Sequence, residues 1–249
     1  MPATSSVDAL AAEIAPLGAP VMVFCASHSG SRLLVQALTR LGVFMGARLN
    51  DSEDSLDIFD LVRWLVMADA GDFERLLSGR EPELRPRVLA ALSAHLVGRP
   101  PAAAWGWKLP ETANVLPLMR RLFPKARLVH LVRDGRDVAF SPFVAPKDPF
   151  WRKIYFGDER LASWRGLPMT QRAYRAHGHL FNAARWVRSV TLGREGGAGA
   201  SYLEIRYESL VASPTTEIVR LADFLELSVP ALRVDASHFH SRSVGKWRT

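Results

Sequence analysis

Three short stretches carry residue types whose spacing suits the handling of a phosphate-like anion. Ala26-Ser27-His28-Ser29-Gly30-Ser31-Arg32 runs from the end of an apolar pentad into a helical pattern. Backbone N–H groups at a helix start attract anions, small residues let a phosphate come close, and the serine hydroxyls and Arg32 add donors. The loop is a phosphate cradle in outline but not a Walker A loop, because Ser31 follows Gly30 where that motif needs lysine. Read alone, it is equally an ordinary Ser-capped turn. Arg133-Asp134-Gly135-Arg136-Asp137-Val138-Ala139-Phe140-Ser141 follows a second apolar run. Gly135 permits a tight bend there, and Arg133 and Ser141 can converge on one phosphate. A salt-bridged turn is the alternative, as is a hairpin at Asp-Gly, although Val138-Ala139-Phe140 does not resume a strand alternation. The third stretch, Ser243-Val244-Gly245-Lys246-Trp247-Arg248, is basic and carries a tryptophan, so it can fold over a ligand or simply fray.

These loops need a scaffold. Val21 to Cys25 is a continuous apolar run of the kind buried on both sheet faces, Leu128 to Val132 (LVHLV) reads as a second buried strand, and Tyr202 to Tyr207 alternates. Each is followed by a helical pattern. After the first, Leu33, Leu34, Ala37, Leu38 and Leu41 recur at helical spacing, and Gly42 supplies the stop. Further helical patterns cover about 59–69, 84–97, 112–122, 172–192 and 214–226, with Thr112 and Ser213 as expected N-caps. Gly193 to Ala200 (GREGGAGA) reads as a flexible surface loop. Strands alternating with helices imply parallel crossovers, so the expected fold is α/β, a layered architecture with a central parallel sheet flanked by helices on both faces. In such sheets ligands bind where the strands' carboxyl ends meet their loops, which is where all the chemistry-bearing stretches above except the tail fall.

Composition narrows the function classes. With 48% hydrophobic and 23% charged residues the chain is of ordinary globular make-up. Its 32 Lys and Arg against 25 Asp and Glu leave a net charge of +7, which favours an anionic partner. The basic residues are mostly scattered arginines rather than the runs interleaved with aromatics usual in nucleic-acid binders, and a small phosphorylated ligand fits the surplus equally well. The resemblance described below implies a small-molecule partner and no nucleic acid. Cys25 is the one cysteine, which excludes an internal disulfide framework, and it reads as a small buried hydrophobe. His130 reads as a core histidine, and His177 and His179 as a solvated face. His238 and His240 remain open between a cleft and solvent, and no zinc-site spacing joins the histidines. No apolar run approaches the length of a membrane span, and no basic leader precedes one at the N-terminus, so a soluble, cytoplasmic chain is expected.

Taken in order, the stretches resemble the PAPS-dependent sulfotransferase family, bacterial type. HSGSRLL looks like its 5′-phosphosulfate loop, and LVHLVRDGRDVAFS is similar to its 3′-phosphate motif over about fourteen residues. IRYESLVASP resembles its nucleotide-holding strand end, and SVGKWR its C-terminal Gly-x-Trp signature. The resemblance implies a P-loop-like fold and transfer of a sulfuryl group from PAPS to a hydroxyl or amine of a small-molecule or lipidic acceptor, with PAP as product and no metal. Carried over, Ser29, Gly30, Ser31, Arg32 and Leu33 would cradle the phosphosulfate. Arg133 and Ser141 would take the 3′-phosphate and Tyr207 the nucleotide, with Ser243, Val244, Gly245, Lys246 and Trp247 closing over it. Trp107-Lys108-Leu109-Pro110 looks like the family's lysine element and places Lys108 beside the sulfuryl group.

The sequence departs from the pattern at three places. His28 stands where the loop lysine is usual, so His28 or Arg32 must supply that charge. Leu109 stands where many members have a base, leaving Glu111 as the nearest carboxylate. The chain ends two residues after Trp247, so a helix that bacterial relatives carry beyond this signature is not expected. The implied organisation is one sulfotransferase domain over 1–249, with an N-terminal extension at 1–19, an aromatic acceptor lid at 142–170 and a cofactor-closing segment at 228–249. A homodimer is its candidate assembly. The acidic run Asp51 to Asp54, with Asp57 and Asp60, reads as a helix cap in preference to an acceptor-facing cluster. Two other classes share these features: a catalytically silent nucleotide-binding module and, less well matched, a P-loop kinase.

Overall fold

The computed structural model describes residues 6–68, 73–142, 147–227 and 244–245. Helix α1 (Ser6–Ile14) precedes strand β1 (Val21–Cys25), which runs through the Ala26–Ser31 loop into α2 (Arg32–Arg40). Helices α3 (Leu56–Met67) and α4 (Phe73–His95) lead to β2 (Gly106–Lys108). A 3-10 segment (Pro110–Val115) and α5 (Leu116–Leu122) then lead to β3 (Arg127–Val132) and the short α6 (Gly135–Ala139). Next come α7 (Pro149–Phe156), the two-residue strands β4 (Ser163–Trp164) and β5 (Leu167–Pro168), and the long α8 (Gln171–Gly197). Strand β6 (Tyr202–Arg206), α9 (Tyr207–Ala212) and α10 (Pro214–Leu225) follow.

The four main strands form one sheet in the order β2-β1-β3-β6, and every neighbouring pair is parallel. Its two faces are covered by different helices because side chains alternate along a strand. Met22 and Phe24 of β1 and Leu128 of β3 enter a core shared with α1, α3 and α5. Val21, Val23 and Cys25, with Val129 and Leu131, enter the opposite core, shared with α2, α9 and α10. The expected α/β layering is therefore present, and Cys25 is buried, its thiol pushed up to about 11 chiefly by that burial.

Several local expectations are corrected. Gly193 to Ala200 is not a surface loop: α8 runs to Gly197. A Cβ at Gly193 would lie 2.5 Å from the His130 ring, and one at Gly197 2.3 Å from the Tyr202 ring. Those glycines serve close packing of helix on sheet, which in sequence looks the same as loop composition. Thr112 does not cap a helix. It lies inside the 3-10 segment and its hydroxyl accepts from Trp107 Nε1 at 3.1 Å. Ser213 stands at the start of α10 but makes no side-chain cap bond. Strand β2, only three residues long, escaped periodicity altogether.

The acidic run meets its expected role only in part: Ser55 is the N-cap of α3, accepting from Ile58 N, and Asp57 stands in that helix's first turn, where a negative charge is favourable, while Asp54 pairs with Lys108. His130 is fully buried, its Nδ1 2.7 Å from the Tyr202 hydroxyl, and burial lowers its pKa to about 4. His177 and His179 are exposed, and His179 stacks on Phe140. Within the aromatic segment after residue 142, Phe150 is fully buried in the core and Tyr155 nearly so, while 143–146 lie outside the described residues. No described helix is long and apolar enough to cross a membrane.

Candidate active site

The loop after β1 turns through two left-handed residues, His28 (φ 69°) and Gly30 (φ 79°), before Arg32 opens α2. Gly30 is needed twice over, since a Cβ there would also fall 2.4 Å from the Tyr207 ring. Tyr207, the first residue of α9, thus lies flat against the loop. Over its ring stands the Arg133 guanidinium, 4.8 Å from the centroid. Arg133 Nη1 donates to the His28 carbonyl at 3.0 Å, and Nη2 lies 3.5 Å from Asp137 Oδ2. Asp137 is fully buried and also accepts from the Gly245 backbone N–H at 2.9 Å, which sets Gly245 against this loop cluster. Trp186 of α8 braces the turn by donating to the Arg133 carbonyl at 2.9 Å. A Cβ on Gly135 would meet that indole at 2.8 Å.

Ser29 is 1% exposed, and its Oγ makes no hydrogen bond among the described residues. A buried hydroxyl without a partner is costly, and an acceptor placed beside it would relieve that cost. Ser31 is buried and hydrogen-bonds Cys25, whereas Arg32 and His28 are exposed and Leu33 is half-buried. Ser141 is buried with its hydroxyl donating to the Asp137 carbonyl at 2.9 Å. Val244 is exposed. Ser243, Lys246, Trp247, His238 and His240 lie outside the described residues.

On the β2 side, Lys108 is 2% exposed. Its Nζ donates to Asp54 Oδ1 at 2.5 Å and to the Ser52 carbonyl at 2.6 Å. Asn50 shapes that turn: its Oδ1 accepts from the Ser52 and Asp54 N–H groups, both at 2.9 Å. Glu111, at the start of the 3-10 segment, is also buried, and its carboxyl is pushed up to about 7. Burial is the main cause and the Asp54 charge adds to it, while the Lys108 and Arg185 cations pull the other way. A small cavity beside it is lined by Cys25, Ser27, Tyr155, Arg185 and Ser189. Arg185, from α8, is 2% exposed and lies 5.1 Å from the Tyr155 ring centroid.

Four residues of this arrangement were not assigned from sequence. Asp54 and Asp137 were in view only as part of an acidic run and of the Asp-Gly turn. Tyr155 was in view only as part of the aromatic lid segment, and Arg185 carried no local signal; the approach of both to Glu111 depends on how α7 and α8 pack. Chemically, one side gathers N–H, hydroxyl and guanidinium donors suited to an anion, and the other sets a buried lysine beside a carboxyl that titrates near neutrality. Among the described residues no three His, Cys, Asp or Glu gather as a metal site.

A protein-family model described as "Sulfotransferase family" matches residues 20–231. A "Putative protein-tyrosine sulfotransferase" of Caenorhabditis elegans is 27% identical over 123 residues. That alignment covers 48% of this chain and 39% of the worm protein, so the chain spans about two fifths of that relative's length. Among solved structures, the sulfotransferase domain from the curacin biosynthetic pathway is 14% identical with a TM-score of 0.49, covering 86% of this chain and 76% of that one. A retinol dehydratase in complex with androsterone and inactive cofactor PAP is 18% identical with a TM-score of 0.40, covering 90% and 65%.

Proposed function

Because the chain belongs to the sulfotransferase family, we propose that it moves a sulfuryl group from PAPS to a hydroxyl, or an amine, of a small-molecule or lipidic acceptor. The observation that carries this reading is the meeting of Ser29, Gly30, Arg133 and Tyr207 in one place, from three separate stretches of chain. The residues present fit the donor. Ser29 offers an uncommitted buried hydroxyl, the Gly30 turn leaves room for close approach, and Arg133 brings a permanent charge braced by Tyr207 and Asp137. PAPS, when bound, supplies the activated sulfuryl group and a phosphate leaving group.

In this reading Ser29, Gly30, Ser31, Arg32 and Leu33 hold the 5′ end, and Arg133 with Ser141 holds the 3′-phosphate. Tyr207 walls the nucleotide, and Ser243 to Trp247 close over it. Glu111 takes the acceptor's hydroxyl proton as that oxygen bonds to sulfur. Lys108, with His28 or Arg32, stabilises the bridging oxygen, which keeps the electron pair when its bond to sulfur breaks and leaves on PAP. Such a transition state spreads its charge over oxygens, so fixed cations contribute most of the rate. Glu111 suits its role because a base is most effective when it titrates near the working pH.

The test is ligand-dependent melting followed by transfer. At a hundredfold excess over Kd, PAP should stabilise the fold by about 2.7 kcal/mol, and ATP, which lacks a 3′-phosphate, by far less. PAPS with pooled hydroxyl acceptors should then yield sulfated product and PAP. Equal stabilisation by ATP would remove the nucleotide assignment. PAP binding without turnover on any acceptor would leave a silent binding module.

A further inference from the structure

On the far side of Tyr155 from Glu111, the molecule carries a groove of about 640 Å³. That is within the ~300–1,000 Å³ typical of small-ligand sites. Its floor is one face of α8, where Ala184, Val187, Arg188, Thr191 and Leu192 recur at helical spacing. Its wall is aromatic: Tyr155 and Phe156 from α7 and Trp164 from the β4–β5 hairpin. Val187 is 55% exposed and Leu180 41%, two of the few large apolar side chains left in solvent on the described surface. Burying them would be favourable.

Two arginines stand on this apolar trough. Arg165 is exposed, with its guanidinium 5.5 Å from the Trp164 ring centroid. Arg188 donates its Nε to the Ile154 carbonyl at 3.0 Å, and its two Nη groups make no hydrogen bond among the described residues. Against these two cations the groove sets one carboxylate, Glu195. Arg185 and Ser189, on the adjacent face of α8, line the Glu111 cavity, and Tyr155 lines both spaces. The groove therefore adjoins the position proposed for proton transfer, Tyr155 being common to both.

We propose that this groove binds the body of the acceptor, and that the acceptor is an anionic amphiphile: a hydroxylated chain or ring system whose carboxylate, or equivalent anion, pairs with Arg165 and Arg188. The inference rests on the sulfuryl-transfer reading for the acceptor's identity, but the groove's affinity can be measured without turnover.

The probes are ω-hydroxydodecanoate and dodecanediol, equal in length and differing in charge at one end. Calorimetric titration into the PAP-saturated protein should show the hydroxy acid binding about tenfold tighter, the usual worth of one charge-assisted contact. Arg165→Glu should remove that preference while leaving dodecanediol affinity unchanged, and Val187→Asp should weaken both ligands. Both positions are exposed, so both variants should fold, and their stabilisation by PAP should match wild type. With PAPS, the same pattern should appear in KM with kcat little changed. Equal affinity for the two ligands, or hydroxy-acid affinity untouched by both substitutions, overturns the inference while intact PAP binding keeps the donor site standing. A concentration-dependent dimer abolished by Val187→Asp, with no binding of either probe, would also overturn it and assign the face to a second copy of the chain. Loss of PAP binding in wild type would count against the sulfuryl-transfer reading, with the groove judged on its titrations alone.

Discussion

Arg133 finds its partners inside a cluster of strand-end loops: the His28 carbonyl, the Tyr207 ring and, one helical turn on, Asp137. Lys108, two strands away, is held instead by Asp54 and Ser52, from the turn before α3, while Glu111 shares its surroundings with Arg185 of α8. The first region is a set of donors attached to adjacent parallel strands, so its geometry follows from the sheet. The second is an arrangement of buried charges drawn from four separate elements. The Lys108 and Arg185 cations favour the ionised Glu111 and Asp54 disfavours it, so its titration reflects the balance of all three with burial. Under the proposed function the Arg133 side would govern binding and the Lys108 side the chemical step, and the following variants test that division.

Removing the carboxylate of the second region should have the largest effect. Glu111→Gln is expected to lower kcat by about 10²–10⁴-fold, the usual contribution of a general base, with PAP affinity nearly unchanged. Wild-type kcat should rise as pH climbs through about 7, because only the deprotonated carboxylate accepts a proton, and the variant should lose that limb. Stability runs the opposite way. The native carboxyl titrates at about 7 against an ordinary 4.5, so the native state favours the protonated form. That contribution is complete below 4.5 and is lost as pH rises through about 7, amounting to on the order of 3 kcal/mol. Glu111→Gln should therefore melt higher than wild type at pH 8 and equally at pH 4. Thermal melts at the two pH values, beside a pH–rate profile, check both halves.

Lys108→Ala comes next, with kcat down by about 10²–10³-fold and PAP affinity changed far less. Single-turnover rates beside equilibrium PAP titration separate the two. If PAP affinity fell as much as the rate did, the proposed division between the regions would fail. Arg133→Ala should show the smallest of these effects and the reverse pattern. PAP binding should weaken by about 2–3 kcal/mol, and kcat at saturating PAPS should be nearly retained. An unchanged PAP Kd in this variant would move the 3′-phosphate pocket away from Arg133.

Three of the four parallel strands and the loops that follow them were legible because each depends on local chemistry, whereas β2 at three residues is too short to show a pattern. A doubly buried strand must be almost wholly apolar, as in VMVFC and LVHLV with its one histidine, and a tight loop at a strand end favours small residues and glycine. The glycines of α8 misled for the same reason, since GREGGAGA has the composition of a loop and its helical role depends on the His130 and Tyr202 rings packed against it. Asp54 could not be recognised as the partner of Lys108 across 54 positions, because no local pattern reports which turn a crossover will set beside which strand. The lowered pKa of His130 and the raised one of Glu111 belong to the same class: burial decides them, and burial is a property of the packed chain. Sequence by itself determined the α/β layering and which strand-end loops are rich in small and donor residues, since periodicity, turn chemistry and side-chain type act over a few residues. Only the tertiary structure decided which charges face one another, because electrostatic energy depends on distance and solvent exclusion, and both are set when the helices close over the sheet.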